Sequence, residues 1–256
     1  MAEKEMKNPW ENLKTVKGKY TIASDDYPDI INLDNNLKGK FKLNLNLLPE
    51  PFIGNPNAPI YLLNLNPGFD KENAKEHKEN KKLRDCITKN NLHKPMEYPF
   101  YWLNPDLKGT GGAKYWKEGN KVKTKKRTKT GKPIWQTISP RLGELLEDKA
   151  LKETLIARKI FCVEYFPYHS ESYSISKKVP SQGYSRNLIE NAIKDNSKLF
   201  IIMRKKTEIF KLFPKLKELQ KKGRVFVCSS SSNPCISRKN IGEAAFKKII
   251  EKIIAK

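Results

Sequence analysis

Four short apolar runs punctuate an otherwise polar chain. Pro59-Ile60-Tyr61-Leu62-Leu63-Asn64-Leu65 is the first, closed by Asn66-Pro67-Gly68. Ile160-Phe161-Cys162-Val163-Glu164-Tyr165-Phe166 is the second, closed by Pro167. Leu199 to Met203 and Arg224 to Cys228 are the third and fourth. Near-continuous apolar runs of this kind predict strands buried on both faces. Helical patterns lie between and after them. They cover residues 71–90, with Leu83 and Ile87 at i, i+4 spacing, then Ile134 to Leu146, Arg186 to Asn196, Thr207 to Lys222 despite Pro214, and Ile241 to Ile254. From residue 159 onward the order is β-α-β-α-β-α. With the first strand, this predicts an α/β fold: a three-layer α/β/α domain around a mostly parallel four-stranded central sheet.

Other segments lack such a pattern. Residues 1–50 are polar and Asn/Lys-rich, and read as an N-terminal extension packed on the core. Residues 51–256 read as a single domain with a basic insertion at 114–132. Residues 95–120 carry Tyr98, Phe100, Tyr101, Trp102, Tyr115 and Trp116 among Pro and Gly, which predicts an ordered loop region anchored by aromatics. Lys121 to Lys132 holds Lys121, Lys123, Lys125, Lys126, Arg127, Lys129 and Lys132 with almost no apolar residue, and predicts a surface loop or mobile segment. Gly109-Thr110-Gly111-Gly112 lacks the Gly-Lys-Ser/Thr ending of a phosphate-binding loop and reads as a hinge.

Charge narrows the partners. The chain of 256 residues has 51 Lys+Arg against 28 Asp+Glu, a net charge of +23. That excess favours a phosphate backbone and salt-dependent binding, so nucleic acid is the expected partner, with an anionic membrane surface a distant second. No apolar run approaches the roughly 20 residues a membrane span needs. Met1 to Trp10 has no apolar signal core, and the expected location is cytoplasmic, as a monomer. The cysteines, Cys86, Cys162, Cys228 and Cys235, form no CxxC pair, and the three histidines, His77, His93 and His169, leave little material for a His-based triad. No metal and no organic cofactor is expected.

Parallel strands bring their carboxyl ends to one edge, where open α/β sheets bind ligands. Three of the four ends are unusual: Asn66-Pro67-Gly68-Phe69-Asp70, Phe166-Pro167-Tyr168-His169-Ser170, and the tract from Ser229 to Lys239. An Asn at such an edge holds a water or a carbonyl without carrying charge. Hydroxyls, amides, one His, aromatics and a basic tail are expected to meet in one crevice. Glu164 is a general base or a sheet-edge polar residue, and His169 a structural side chain or a ligand of the substrate.

In Leu65-Asn66-Pro67-Gly68 and Asn233-Pro234-Cys235-Ile236-Ser237-Arg238 the chain resembles the uracil-DNA glycosylase superfamily over roughly residues 55–256. The first motif is similar to that of its mismatch-specific and single-strand-selective branches. The second is one residue shorter than the mismatch-specific form, with Cys235 where Ser is usual. The resemblance implies a monofunctional DNA glycosylase, a hydrolase that flips a base and leaves an abasic site. It implies that Asn66 positions the attacking water and that Asn233 holds the base or the departing oxyanion. Pro67 and Gly68 would shape the pocket, and Phe69 or Phe166 would stack on the base. Asp70, Glu164, His169 and Ser231 would line the substrate site. Ile236 would enter the vacated stack. Ser237, Arg238 and Lys239, with Lys123, Lys125, Lys126 and Arg127, would contact DNA, duplex or single-stranded. Gly68 stands where uracil-restricted members carry a Tyr, which implies room for a 5-substituted pyrimidine. Repair of uracil or mismatched thymine and defence against phage DNA carrying glucosylated hydroxymethylcytosine both follow. A catalytically inactive nucleic-acid-binding module and a nucleoside or nucleotide hydrolase are the alternatives.

Overall fold

The computed structural model describes residues 6–16, 20–69, 71–127, 133–172, 178–230 and 232–255, with backbone alone at 20, 71–73, 120–127 and 133–137. The centre is a mixed five-stranded sheet. Its strands are β3 (Phe52–Gly54), β4 (Ile60–Asn64), β7 (Ile160–Glu164), β8 (Leu199–Ile202) and β9 (Val225–Val227), in the order β3-β7-β4-β8-β9. The last four run parallel, and β3 adds an antiparallel edge to β7. Four strands were expected, so β3 is a correction. Three residues carry no readable alternation. Gly54, at φ 116°, lets its backbone approach the Ile160 carbonyl where a side chain would collide.

Alternation along the central strands divides the core in two. Ile60, Leu62, Ile160, Cys162, Leu199 and Ile201 face one side. There they meet Leu83, Cys86 and Ile87 of α3 (Lys81–Asn91), Ile156 and Ala157 of α5 (Glu153–Lys159), and Phe246, Ile249 and Ile253 of α10 (Glu243–Ile254). Tyr61, Leu63, Phe161, Val163, Phe200 and Ile202 face the other. Their partners are Ile189, Ala192 and Ile193 of α6 (Gln182–Lys194), Ile209 and Phe210 of α7 (Lys206–Leu212), and Leu216 and Leu219 of α8 (Lys215–Lys221). The α/β fold with helices on both faces is therefore present.

The chain leaves β4 toward β7 on one side and leaves β8 toward β9 on the other. The strand order thus reverses between β4 and β8, the position where an open sheet forms its ligand crevice.

Several elements differ from expectation. The basic run forms a strand, β5 (Asn120–Arg127), paired with β6 (Pro133–Ile138) in a two-stranded sheet with a register shift between Lys123 and Arg127. Backbone pairing holds β5, so no apolar pattern marks it. The helix expected from Ile134 is β6 followed by a 3₁₀ turn, Gly143–Leu146. Ile134, Trp135, Thr137 and Ile138 suit a strand, and Pro140 with Gly143 at φ 50° stops a helix. Phe213-Pro214 separates α7 from α8, and Gly242 at φ 89° separates α9 (Arg238–Ile241) from α10. Residues 71–90 form two helices, α2 (Lys71–Glu79) and α3, the latter capped by Asn80.

The N-terminal segment is clamped to the domain. It carries a hairpin, β1 (Leu13–Val16) with β2 (Tyr20–Ala23), and a helix, α1 (Asp29–Asn36). Ile22, Ile30, Leu33, Leu43 and Leu45 pack on Phe166, Tyr168 and Val179. Asp26, fully buried, accepts hydrogen bonds from Tyr168 Oη (2.6 Å), Ser181 N (2.8 Å) and Ser181 Oγ (2.6 Å). Among the described residues no helix is long and apolar enough to cross a membrane.

Candidate functional site

A cavity of about 450 Å³ opens at the carboxyl ends of β4, β7 and β8, over the reversal of strand order. Asn64 to Phe69 enter it from β4, Glu164, His169 and Ser170 from β7, and Arg204 and Lys205 from β8. Trp102, Gly112, Tyr115 and Trp116 line it too. A short helical turn, α4 (Gly111–Ala113), carries this aromatic wall. It is capped by the Thr110 hydroxyl, tied to α2 by a bond from Gly111 N to Glu76 Oε2 (2.8 Å), and widens into a π-helical turn over Lys114–Glu118. Such widened turns are frequent at functional sites. Gly112 is required, because a side chain there would enter the Trp102 ring.

Asn66 is fixed by its amide nitrogen. Nδ2 donates to Ser170 Oγ (3.0 Å), Ser170 O (3.3 Å) and Pro67 O (3.0 Å). No described residue donates to Oδ1, which stays available as an acceptor. Gly68 has open space where a Cβ would stand, with nothing within 4 Å.

Glu164 ends β7 and is 4% exposed. Its Oε1 accepts from Asn64 Nδ2 (3.0 Å) and from the Cys162 thiol (3.7 Å), and the buried Oε2 has no partner among the described residues. Burial, reinforced by the nearby Glu50, pushes this carboxyl up to about 8 against the Asn64 hydrogen bond. At neutral pH it is mostly a neutral acid, and so a hydrogen-bond donor.

Beside it lies a buried cluster. Glu50 Oε2 is 3.4 Å from His169 Nε2 and 3.7 Å from His77 Nε2. Tyr101 Oη donates to the other Glu50 oxygen. His169 Nδ1 donates to Gly68 O (2.9 Å), and its Nε2 also faces Leu48 O (3.1 Å). Burial holds His77 down at about 4, opposed by Glu50, and its Nδ1 has no partner among the described residues. Among the described residues these three are the group whose side-chain atoms could hold a metal ion, all within 4.8 Å of one another.

Past β8, Lys205 takes a left-handed conformation at φ 55°. For a non-glycine residue this costs on the order of 1 kcal/mol. It turns the chain into α7 directly at the cavity rim. Arg204 is exposed and reaches Ser232 O at 3.4 Å.

The cavity gathers Asn66, Pro67, Gly68, Phe69, Glu164 and His169 of the expected site. His169 belongs to the Glu50 cluster as well as to the cavity wall. Asn233 is not on that wall. Its Oδ1 accepts from Arg141 Nη1 (2.8 Å), whose guanidinium lies 4.4 Å from the ring centre of the cavity residue Tyr115. Phe166 is fully buried beneath the N-terminal segment, edge-on to Tyr168, and has no face left for a base. Ile236 is likewise fully buried, its backbone bonded to Arg141 O and Glu144 N, so it presents no wedge. The Ser237 hydroxyl caps α9 by accepting from Asn240 N (3.2 Å), which occupies it locally. Arg238 is exposed but paired with Glu144 (2.6 Å) and Glu243 (3.2 Å), and Lys239 is exposed. Asp70 and Ser231 lie outside the described residues. So do the side chains of Lys123, Lys125, Lys126 and Arg127, whose backbone forms β5.

Sequence reasoning missed Glu50, His77, Asn64, Arg204 and Lys205, and gave Ser170, in a strand end expected at the crevice, no role of its own. For Asn64 a signal existed, a polar residue closing an apolar strand. Glu50 is marked as the one charge between Lys42 and Asp70, and the others carry none. The chain matches no protein-family model, no curated protein and no solved structure.

Proposed function

We propose that the chain is a DNA glycosylase of the uracil-DNA glycosylase kind. It would extrude a modified or mismatched pyrimidine into the cavity and hydrolyse its N-glycosidic bond. The observation that carries this reading is the pair at the sheet edge: Asn66, held by its nitrogen with no described residue donating to Oδ1, and Glu164, a buried neutral acid whose Oε2 has no partner among the described residues.

In this mechanism a water is held by Asn66 Oδ1 and attacks C1′ of the deoxyribose. The C1′–N bond breaks and its electron pair passes to the base. The Glu164 O–H donates a hydrogen bond to a base oxygen or nitrogen as that charge develops. A buried, preoriented donor is effective because no solvent must reorganise around it. The water's proton neutralises the departing base, leaving an abasic sugar and a free base. Phe69 and Tyr115, both partly open, offer ring faces, and the space beside Gly68 accommodates a substituent on C5 of the base. Arg204 and Lys205 at the rim, within a net charge of +23, suit flanking phosphates. Extrusion costs a few kcal/mol, which such contacts offset.

The test is incubation with single- and double-stranded oligonucleotides carrying uracil, mismatched thymine, and hydroxymethylated or glucosylated cytosine, followed by alkali cleavage. Asn66→Ala is expected to slow excision by about 10²–10³-fold. No abasic product from any substrate, with Asn66→Ala equal to wild type, would remove this function.

A further inference from the structure

We propose that Glu50, His77 and His169 form a binding site for one divalent transition cation, with Zn²⁺ the best fit, on the wall of the cavity. Two imidazoles and one carboxylate converge from three separate parts of the chain: the segment before β3, helix α2, and the loop after β7. All three side chains are buried. A two-histidine, one-carboxylate set with an open fourth position is a composition that Zn²⁺ takes in catalytic sites.

Two of the three ligand spacings agree with that ion, and all three lie within 4.8 Å. Four-coordinate Zn²⁺ with bonds near 2.1 Å sets its ligand atoms about 3.4 Å apart. Glu50 Oε2 lies 3.4 Å from His169 Nε2 and 3.7 Å from His77 Nε2. The outer contacts of His169 and Glu50 agree too, while His77 Nδ1 has no partner among the described residues. Ligating histidines usually donate their second nitrogen to a carbonyl or carboxylate, and ligating carboxylates are themselves hydrogen-bonded. His169 Nδ1 donates to Gly68 O at 2.9 Å, which leaves Nε2 directed at the cluster. Tyr101 Oη donates to Glu50 Oε1, which leaves Oε2 directed at the cluster. There Nε2 of His169 faces two oxygens, those of Glu50 and Leu48. A cation bound there takes the place of a hydrogen bond from Nε2 to either oxygen. Because all three ligands line the cavity, the remaining coordination position faces it and takes a water or a substrate oxygen.

The inference does not rest on base excision. The purified chain is assayed for Zn, Fe, Mn and Co by mass spectrometry, stripped with a chelator, then titrated with Zn²⁺ while its melting temperature is read. Co²⁺ serves as a visible-absorption probe of four-coordinate N/O ligation. Expected are one Zn²⁺ per chain, a rise in melting temperature, and loss of both in His77→Gln. Tyr101→Phe, which keeps the packing, is expected to weaken Zn²⁺ affinity about 10–100-fold. If His77→Gln does not fold, Tyr101→Phe and the Co²⁺ spectrum decide. No Zn²⁺ uptake by the wild type, or uptake unchanged in the variants, overturns the site. A chain that excises bases but takes up no Zn²⁺ would sink this inference and leave the glycosylase; stoichiometric Zn²⁺ without excision would do the reverse.

Discussion

Exchanging Glu164 for Gln removes the carboxyl's proton equilibrium while keeping its shape. The group rises from an ordinary 4.5 to about 8 in the folded chain, chiefly through burial. The folded state therefore holds a proton that the unfolded state releases between those two values. Stability from this group is fully present below about pH 4.5, falls as pH rises, and is lost once pH passes about 8. At about 1.4 kcal/mol per unit, the loss between pH 4.5 and pH 7 is roughly 3 kcal/mol. Glu164 is 4% exposed, so solvent screens little of this. Gln keeps an oxygen for Asn64 Nδ2 and supplies N–H in place of O–H, with no dependence on pH. Urea unfolding of both proteins from about pH 5 to about pH 8 should show Glu164→Gln gaining a few kcal/mol on wild type across that range. A stability difference flat with pH would refute a carboxyl held protonated by burial. Activity supplies the second arm. With Glu164 as a donor, wild-type excision declines above about pH 8 and Glu164→Gln stays level. A wild-type rate that climbs through the same range would make Glu164 a base and overturn its assigned role.

Asp26→Ala leaves Ser181 N, Ser181 Oγ and Tyr168 Oη without their buried acceptor, and should cost on the order of 3 kcal/mol in chemical denaturation, with earlier proteolysis of the N-terminal segment. Ile236→Ala removes a fully buried side chain and should destabilise by about 2–5 kcal/mol while sparing the affinity for duplex DNA; a selective loss of binding would restore it as a wedge. Log affinity for duplex DNA should fall against log salt with a slope of about −0.9 per phosphate neutralised, measured by fluorescence anisotropy; turnover of free nucleosides indifferent to salt would favour a small-molecule hydrolase.

What the sequence determined by itself is the central architecture. Ile60 to Asn64, Ile160 to Glu164, Leu199 to Ile202 and Val225 to Val227 are visible as apolar runs, because burial on both faces demands apolar residues at successive positions. The edge where Asn66 stands follows from strands that run parallel. Only the tertiary structure decided the rest. Strand β3 exists because Gly54 admits the neighbouring backbone, and β5 because its backbone pairs with β6; neither cause leaves a periodic trace. Phe166 and Ile236 are apolar in either role, and only the packing of the N-terminal segment and of the Arg141 to Leu146 turn buries them. His77 is a single letter in a charged segment, and Glu50, the one charge between Lys42 and Asp70, stands out by its apolar surroundings but not by any pattern that names its partners. Both meet His169 because the fold brings three distant pieces of chain to one wall. Local patterns record which face a residue shows to the core; they hold no record of which remote side chain waits on the other side.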